Sequence, residues 1–256
     1  MAKSRIFNCN PSRNRENDWT MADAFPGKAK SISSPPASKD LRENWWAVRD
    51  QKDTGACVGF AAADGVLRWH YVKAGWIKTS ELPSPRFIWM ANKETDEITD
   101  YPTTFLEEEG TQVKLALRVA RNYGCVFEED LPMSGGLSKL TRAAFYSKAA
   151  KLRIASYHGL SSNLDEWKFW IANIGPVLSR LDVDDTWMNA TRTRGKLDQY
   201  NPGKVYGGHA ICIVGYTPDS FIIRNSWGEK WGEKGFAYAS IEYVRQAITE
   251  AYGVTL

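Results

Sequence analysis

The sequence predicts an α+β chain of two lobes, a helical one followed by one built on antiparallel strands. Three observations carry that reading: helix-compatible stretches crowd the first half, short apolar runs separated by turn signals crowd the second, and length permits one large domain or a compact pair. At 256 residues the chain can bury a sizeable core. Apolar residues at 43% and charged residues at 25% are ordinary globular usage, and the 11 Trp, 11 Tyr and 10 Phe exceed what a disordered chain carries. The body of the chain therefore folds.

Charge excludes one class of partner. Thirty-three Lys and Arg against 30 Asp and Glu leave +3, without a basic block longer than a few residues, so the signature of a nucleic-acid binder is missing. No run approaches the ~20 apolar residues of a membrane span, and MAKSRIFNCNPSRNREND lacks the apolar centre of a signal peptide. The four cysteines, Cys9, Cys57, Cys125 and Cys212, stand far apart without zinc-ligand spacing. Reduced thiols in a cytoplasmic compartment are expected, with leaderless secretion left open, and no metal or organic cofactor is expected.

Along the chain, residues 1–39 are polar and end in SISSPPASK, which reads as an extended N-terminal arm. A Gly- and Asp-containing turn then leads into a helix that begins near Cys57 and closes near Gly75. A short helix is expected around PRFIWMANKE. Thr111 is a candidate N-cap for QVKLALRVARNY, with Val113, Leu117, Ala120 and Tyr123 on one face and Gly124 as the stop. SSNLDEWKFWIANIG reads as a capped helix. PVLSRLDV, HAICIVGY, SFIIRN and GFAYASI read as strands.

A cysteine at a helix start is stabilised as thiolate by the helix dipole and free N–H groups. Alone, Cys57 is better read as a buried small hydrophobe. His209, however, opens an apolar strand after two glycines, and Asn225 ends the next run. An imidazole beside a thiolate serves as general base and then acid, and an amide on its second nitrogen fixes its tautomer.

The motifs sharpen this. DQKDTGAC followed by VGFA resembles the nucleophile segment of papain-like cysteine peptidases, GGHAICIVGY resembles their histidine strand, and NSWGEKWGEKGF their asparagine segment. The likeness runs from about Leu41 to Gly253. It implies a papain-like two-lobe fold over 40–256, with a helical left lobe to about 150, an antiparallel β-barrel-like right lobe from about 151, and a cleft between them. It also implies a peptidase acting on peptide or protein substrates. By the same resemblance Cys57 is the nucleophile and His209 its proton carrier. Gln51 and the Cys57 backbone N–H face the oxyanion, a donor worth ~10²- to 10³-fold in rate. Asn225 orients His209, Trp227 shields that contact, and Gly208 and Ala210 line the groove.

EEEGTQVKLALRVARNYGCVFEEDLP resembles the substrate-side segment of bacterial relatives, which makes Gly110 and Thr111 candidates for pairing with an extended peptide. The Ser-Gly-Gly at 134–136 comes too late in the chain for that role. In IGPVLSRLDV the resemblance places Arg180 at the second specificity pocket, favouring an acidic side chain two positions before the cleaved bond; pairing with Asp182 is the plainer alternative. His70 and His158 read as surface or structural residues, Cys125 and Cys212 as buried ones, and Glu107 to Glu109 as a solvated face.

Two departures from the family pattern stand out. Val58 follows the nucleophile where Trp is usual, and Thr54 replaces the Cys of the usual disulfide. With no folded inhibitory propeptide in the sequence, this suggests a bacterial-type, intracellular member. The stretch Phe25 to Lys39 is the candidate for lying over the groove. Two rival functions are a transpeptidase or ligase on the same fold, and a catalytically silent or self-inhibited peptide-binding protein.

Overall fold

A computed structural model of the chain describes residues 5–25, 34–95, 110–136 and 138–256. Its spine is a long helix that starts at Cys57. Cys57–Gly59 is α-helical, Phe60–Leu67 widens into a π-helical stretch, and Arg68–Lys73 closes as α-helix before Gly75, whose φ of 72° ends it. Every residue from Ala56 to Tyr71 is buried, so the helix runs through the interior instead of showing a polar face. Helices Pro85–Thr95 and Val113–Asn122 pack in the same lobe.

The second lobe is one sheet. Its strands are β1 (Lys39–Asp40), β2 (Ser156–Gly159), β3 (Val177–Asp184), β4 (Lys196–Leu197), β5 (Val205–Tyr216), β6 (Ser220–Arg224), β7 (Phe236–Ser240) and β8 (Ile248–Thr255). They lie in the order β2-β8-β3-β5-β6-β7-β4, with β1 on β5. All pairs are antiparallel except β4 with β7. The sheet stays open among the described residues, so the barrel-like lobe of the sequence reading is corrected to an open sheet. β5 is buried from Gly208 to Tyr216, which explains its nearly unbroken apolar run.

Other differences are local. The helix expected to be capped by Thr111 begins at Val113 with Gln112 as N-cap, and Tyr123 is exposed rather than on its buried face. Helix Arg142–Ala149 is capped by Thr141, whose hydroxyl accepts from the Ala144 N–H at 3.3 Å. The sequence reading assigns no element to this helix or to β8.

The register brings the site together. Arg180 on β3 stands opposite Ala210 on β5 and Glu250 on β8, and Leu181 stands opposite His209. Asn225 follows β6 directly, its N–H tied to the Gly235 carbonyl at 3.1 Å.

Candidate active site

Cys57, His209, Asn225 and Gln51, drawn from both lobes, converge. His209 Nε2 meets Asn225 Oδ1 at 2.8 Å, and both side chains are buried. An amide oxygen on Nε2 fixes the proton there and leaves Nδ1, which has no hydrogen-bond partner, as the nitrogen open to Cys57, whose thiol the His209 side chain lowers. Trp227 covers the imidazole at 5.0 Å between ring centres, Trp187 at 5.8 Å and Phe7 at 6.4 Å. Three aromatic rings thus keep water from the His209–Asn225 bond.

Gln51 is locked by its neighbours. Its N–H donates to the Ser226 carbonyl at 2.8 Å, its Oε1 accepts from the Ser226 hydroxyl at 2.6 Å, and Nε2 donates to the Thr54 carbonyl at 2.8 Å. The Thr54 hydroxyl returns a bond to the Gln51 carbonyl at 2.8 Å. The residue standing where the motif usually has Cys therefore helps hold the amide, whose remaining N–H is available to a ligand.

The Cys57 thiol lies well below its ordinary value. A hydrogen bond from Cys9 contributes most, burial opposes it, and the His209 side chain and the Ala210 backbone add to the lowering. Cys9 moves the other way, well above its ordinary value, through burial and through that same contact. Cys125 and Cys212 are buried and pushed up to about 12 by desolvation. All four cysteines are free thiols.

The groove contains the chain's own N-terminal arm. Cys9 N–H donates to the Gly208 carbonyl at 3.0 Å and Asn10 N–H to the Thr111 carbonyl at 3.0 Å, so one extended segment touches both lobes. A Cβ on Gly110 would stand 1.7 Å from the Asn8 carbonyl oxygen, and one on Gly208 would stand 2.2 Å from that of Cys9; only glycine allows the arm this close. Arg5 anchors the arm: its guanidinium reaches Asp50 at 2.7 Å and the Lys52 carbonyl at 2.5 Å, and lies 5.4 Å from the centre of the Trp227 ring. The segment expected over the groove was Phe25 to Lys39. Phe25 instead packs on Phe169, ring centres 5.5 Å apart, and the part from Ser34 runs beside β5, where the Pro36 carbonyl accepts from the Tyr216 hydroxyl at 3.0 Å. Residues 26–33 lie outside the described residues, as do Glu107 to Glu109.

Arg180 is engaged on every side. It meets Asp182 at 3.0 Å, the Thr249 hydroxyl at 2.8 Å and the Cys9 carbonyl at 2.8 Å. Glu250, also buried, accepts the Ser12 N–H at 2.7 Å. The plainer alternative for Arg180, pairing with Asp182, is therefore present. Gly135 and Gly136 hold Arg86 through their carbonyls, each at 3.1 Å, rather than lining the arm's path. A cavity of about 750 Å³ beside Met21, Phe25, Pro36 and Phe169 shares no lining residue with the cleft.

Cys9, Arg5, Phe7, Trp187 and Glu250 were missed from the sequence. None stands in a motif, and only the fold brings them to the site.

The profile of the papain family cysteine proteases matches residues 35–252. The chain belongs to the papain family. It is similar to fruit bromelain of Ananas comosus, 25% identical over 220 residues, covering 80% of this chain and 55% of bromelain. To mouse cathepsin K it is 26% identical over 234 residues, covering 89% of this chain and 64% of the cathepsin. It thus spans less than two thirds of these relatives. Among solved structures, xylellain, a cysteine protease from Xylella fastidiosa, superposes with a TM-score of 0.81 at 21% identity, covering 100% of this chain and 97% of xylellain. That likeness shows the papain-like fold.

Proposed function

We propose that the chain is a cysteine endopeptidase held latent by its own arm. The observation that carries this is the convergence of a thiolate-favouring Cys57 with the His209–Asn225 pair beneath an extended peptide segment. In the proposed cycle the Cys57 sulfur attacks the scissile carbonyl carbon. The oxyanion lies between the Cys57 backbone N–H and the remaining Gln51 N–H. His209 passes its proton to the amine as the C–N bond breaks, leaving an acyl thioester. Water, deprotonated by His209, then releases the acid and restores the thiolate. No cofactor enters this cycle.

The arm is not presented for cleavage. The Cys9 carbonyl points to Arg180 Nε rather than to Gln51. The arm passes from Trp227, beside Arg5, toward Thr111, beside Asn10. If Arg180 lies on the side of residues preceding the cleaved bond, the arm runs opposite to a substrate. Substrate would pair with Gly208, Ala210, Gly110 and Thr111 once the arm withdraws. The Arg180 charge is answered by Asp182, with Glu250 beside it, so the acidic preference of an unpaired guanidinium is not expected.

The test is turnover of quenched fluorescent peptides carrying Glu or Leu two positions before the cleaved bond. Full-length Arg5→Ala/Phe7→Ala should exceed wild type on the order of tenfold, since a ring and an ion pair that hold the arm are gone. Glu and Leu peptides should agree within about fivefold, the span of a partly exposed charge pair. Turnover by the arm variant no greater than that of Cys57→Ala would refute the peptidase reading. A strong Glu preference would restore the earlier role of Arg180.

A further inference from the structure

Cys9 is a thiol that the peptidase cycle does not use, yet it is fixed at the centre of the site. Its N–H is held by the Gly208 carbonyl at 3.0 Å and its own carbonyl by Arg180 Nε at 2.8 Å. The residues on either side are also fixed, Asn8 in a bridge with Gly208 and Asn10 in one with Gln112. Such a backbone sets the direction of the side chain. Cys9 is 2% exposed and Cys57 0%, the Cys9–Gly208 backbone bond seats Cys9 beside the start of the His209 strand, and the two buried thiols interact. Filling the groove at this position would need only a small side chain. A second sulfur there adds chemistry: two sulfurs in contact are one two-electron oxidation from a disulfide.

We propose that Cys9 and Cys57 form a redox-active pair, oxidised by hydroperoxides to a disulfide that ties the arm covalently across the cleft. The site becomes reachable when the arm lifts. The Cys57 thiolate then attacks one peroxide oxygen, the O–O bond breaks, and the departing alkoxide or hydroxide takes a proton from His209, leaving Cys57 as sulfenic acid. When the arm returns, the Cys9 sulfur attacks the Cys57 sulfur. The S–S bond forms, the S–O bond breaks, and the Cys9 proton leaves with the oxygen as water. In sum, two thiols and one hydroperoxide give one disulfide, one alcohol or water, and a further water; the sulfurs lose the two electrons that reduce the peroxide. A dithiol reductant reverses the cross-link by exchange.

The division of labour between the sulfurs follows from their settings. Cys57, whose thiol the His209 side chain and the Ala210 backbone still lower once the arm has lifted, is the one that meets oxidant, and Cys9, with its raised thiol, resolves it when the arm returns. Cys125 and Cys212 serve as internal controls, being buried with thiols pushed up to about 12. The consequence is a second lock on the cleft, covalent under oxidising conditions and released under reducing ones.

The inference rests on the arm placement used above but not on peptide cleavage, so the two can fail separately. Full-length protein is treated with hydrogen peroxide, blocked with N-ethylmaleimide in denaturant, and mapped without reduction. Expected are a mass loss of about 2 Da before the block, maleimide afterwards on Cys125 and Cys212 but not on Cys9 and Cys57, a cross-linked peptide pair containing Cys9 and Cys57, and its disappearance with dithiothreitol. Cys9→Ser should instead carry sulfinic acid on Cys57 under the same treatment. Sulfinic acid on wild-type Cys57 without the cross-link, or thiols unchanged at a dose that oxidises glutathione in the same tube, would overturn it. A cross-link in a protein that cleaves no peptide would leave this inference standing and sink the peptidase reading.

Discussion

At the scale of single residues the three histidines show how much the surroundings decide. His209 has an amide on one nitrogen, leaves the other without a hydrogen-bond partner, and lowers the Cys57 thiol. His158 meets the Thr20 carbonyl at 3.0 Å and the Ser156 hydroxyl at 2.8 Å, a satisfied structural residue. His70 is buried with Nε2 unpartnered, and desolvation pushes it down to about 4. The unfolded chain therefore takes up that proton near pH 6.5 while the folded chain refuses it until about pH 4. Stability is intact above that window and falls as pH drops through it, by about 3 kcal/mol in all. His70→Asn should flatten this decline, read as urea midpoints at pH 7 and pH 4.5. Equal declines in variant and wild type would show that His70 is not the titrating group. In sequence the three looked alike except for the glycines and strand around His209; the fate of the other two depends on distant partners.

At the scale of elements, the long helix behind Cys57 is tied to the sheet by one buried carboxylate. Asp64, in the π-helical stretch, meets Arg224 of β6 at 2.7 Å, Arg68 at 3.3 Å and Arg49 at 3.9 Å. Its carbonyl takes the Trp46 indole N–H at 2.8 Å, and Arg224 lies 5.0 Å from the centre of that indole. Removing the carboxylate leaves buried guanidinium groups without a counter-charge, so Asp64→Ala should cost about 3–5 kcal/mol in urea unfolding. A loss below about 1 kcal/mol would mean the arginines find other partners. The helix start, the strands β3, β5, β6 and β7 and the capped helix Leu164–Asn173 were legible, because apolar runs and an Asn cap announce them. β8 was not, since it carries the buried Glu250 in ITEAYGVT, a polar interruption whose neighbours, the Ser12 N–H and Arg180 across the sheet, come from distant parts of the chain. The Asp64 network was likewise silent, its members being spread from Arg49 to Arg224.

At the scale of the whole molecule, the candidate site was legible where motifs carry it and illegible where tertiary contact alone does. Gln51, Cys57, His209 and Asn225 each stand in a recognisable run, and the fold brings them to one place. The arm has no periodicity of its own; its conformation is imposed by Gly208, Thr111, Asp50 and Trp227. That is why the sequence points to Phe25 to Lys39 for the groove, where the structure has Arg5 to Asn10. Over Arg5 to Asn10 the hold is modest in kind: the Arg5–Asp50 ion pair partly open to solvent, a few backbone bonds, the Arg180 bond to the Cys9 carbonyl and the Phe7 ring against Trp227 at 5.8 Å. Such a segment opens without unfolding the lobes.

Thiol mapping with an epoxysuccinyl peptide tests the central claim most directly, applied near pH 6 under reducing conditions to wild type and to full-length Arg5→Ala/Phe7→Ala. Because Cys57 lies well below the ordinary thiol value, the account predicts alkylation of Cys57 alone, slow in wild type and fast in the variant, and lost in His209→Ala. An unlabelled Cys57 in the variant, or labelling spread equally over Cys9, Cys125 and Cys212, would contradict it.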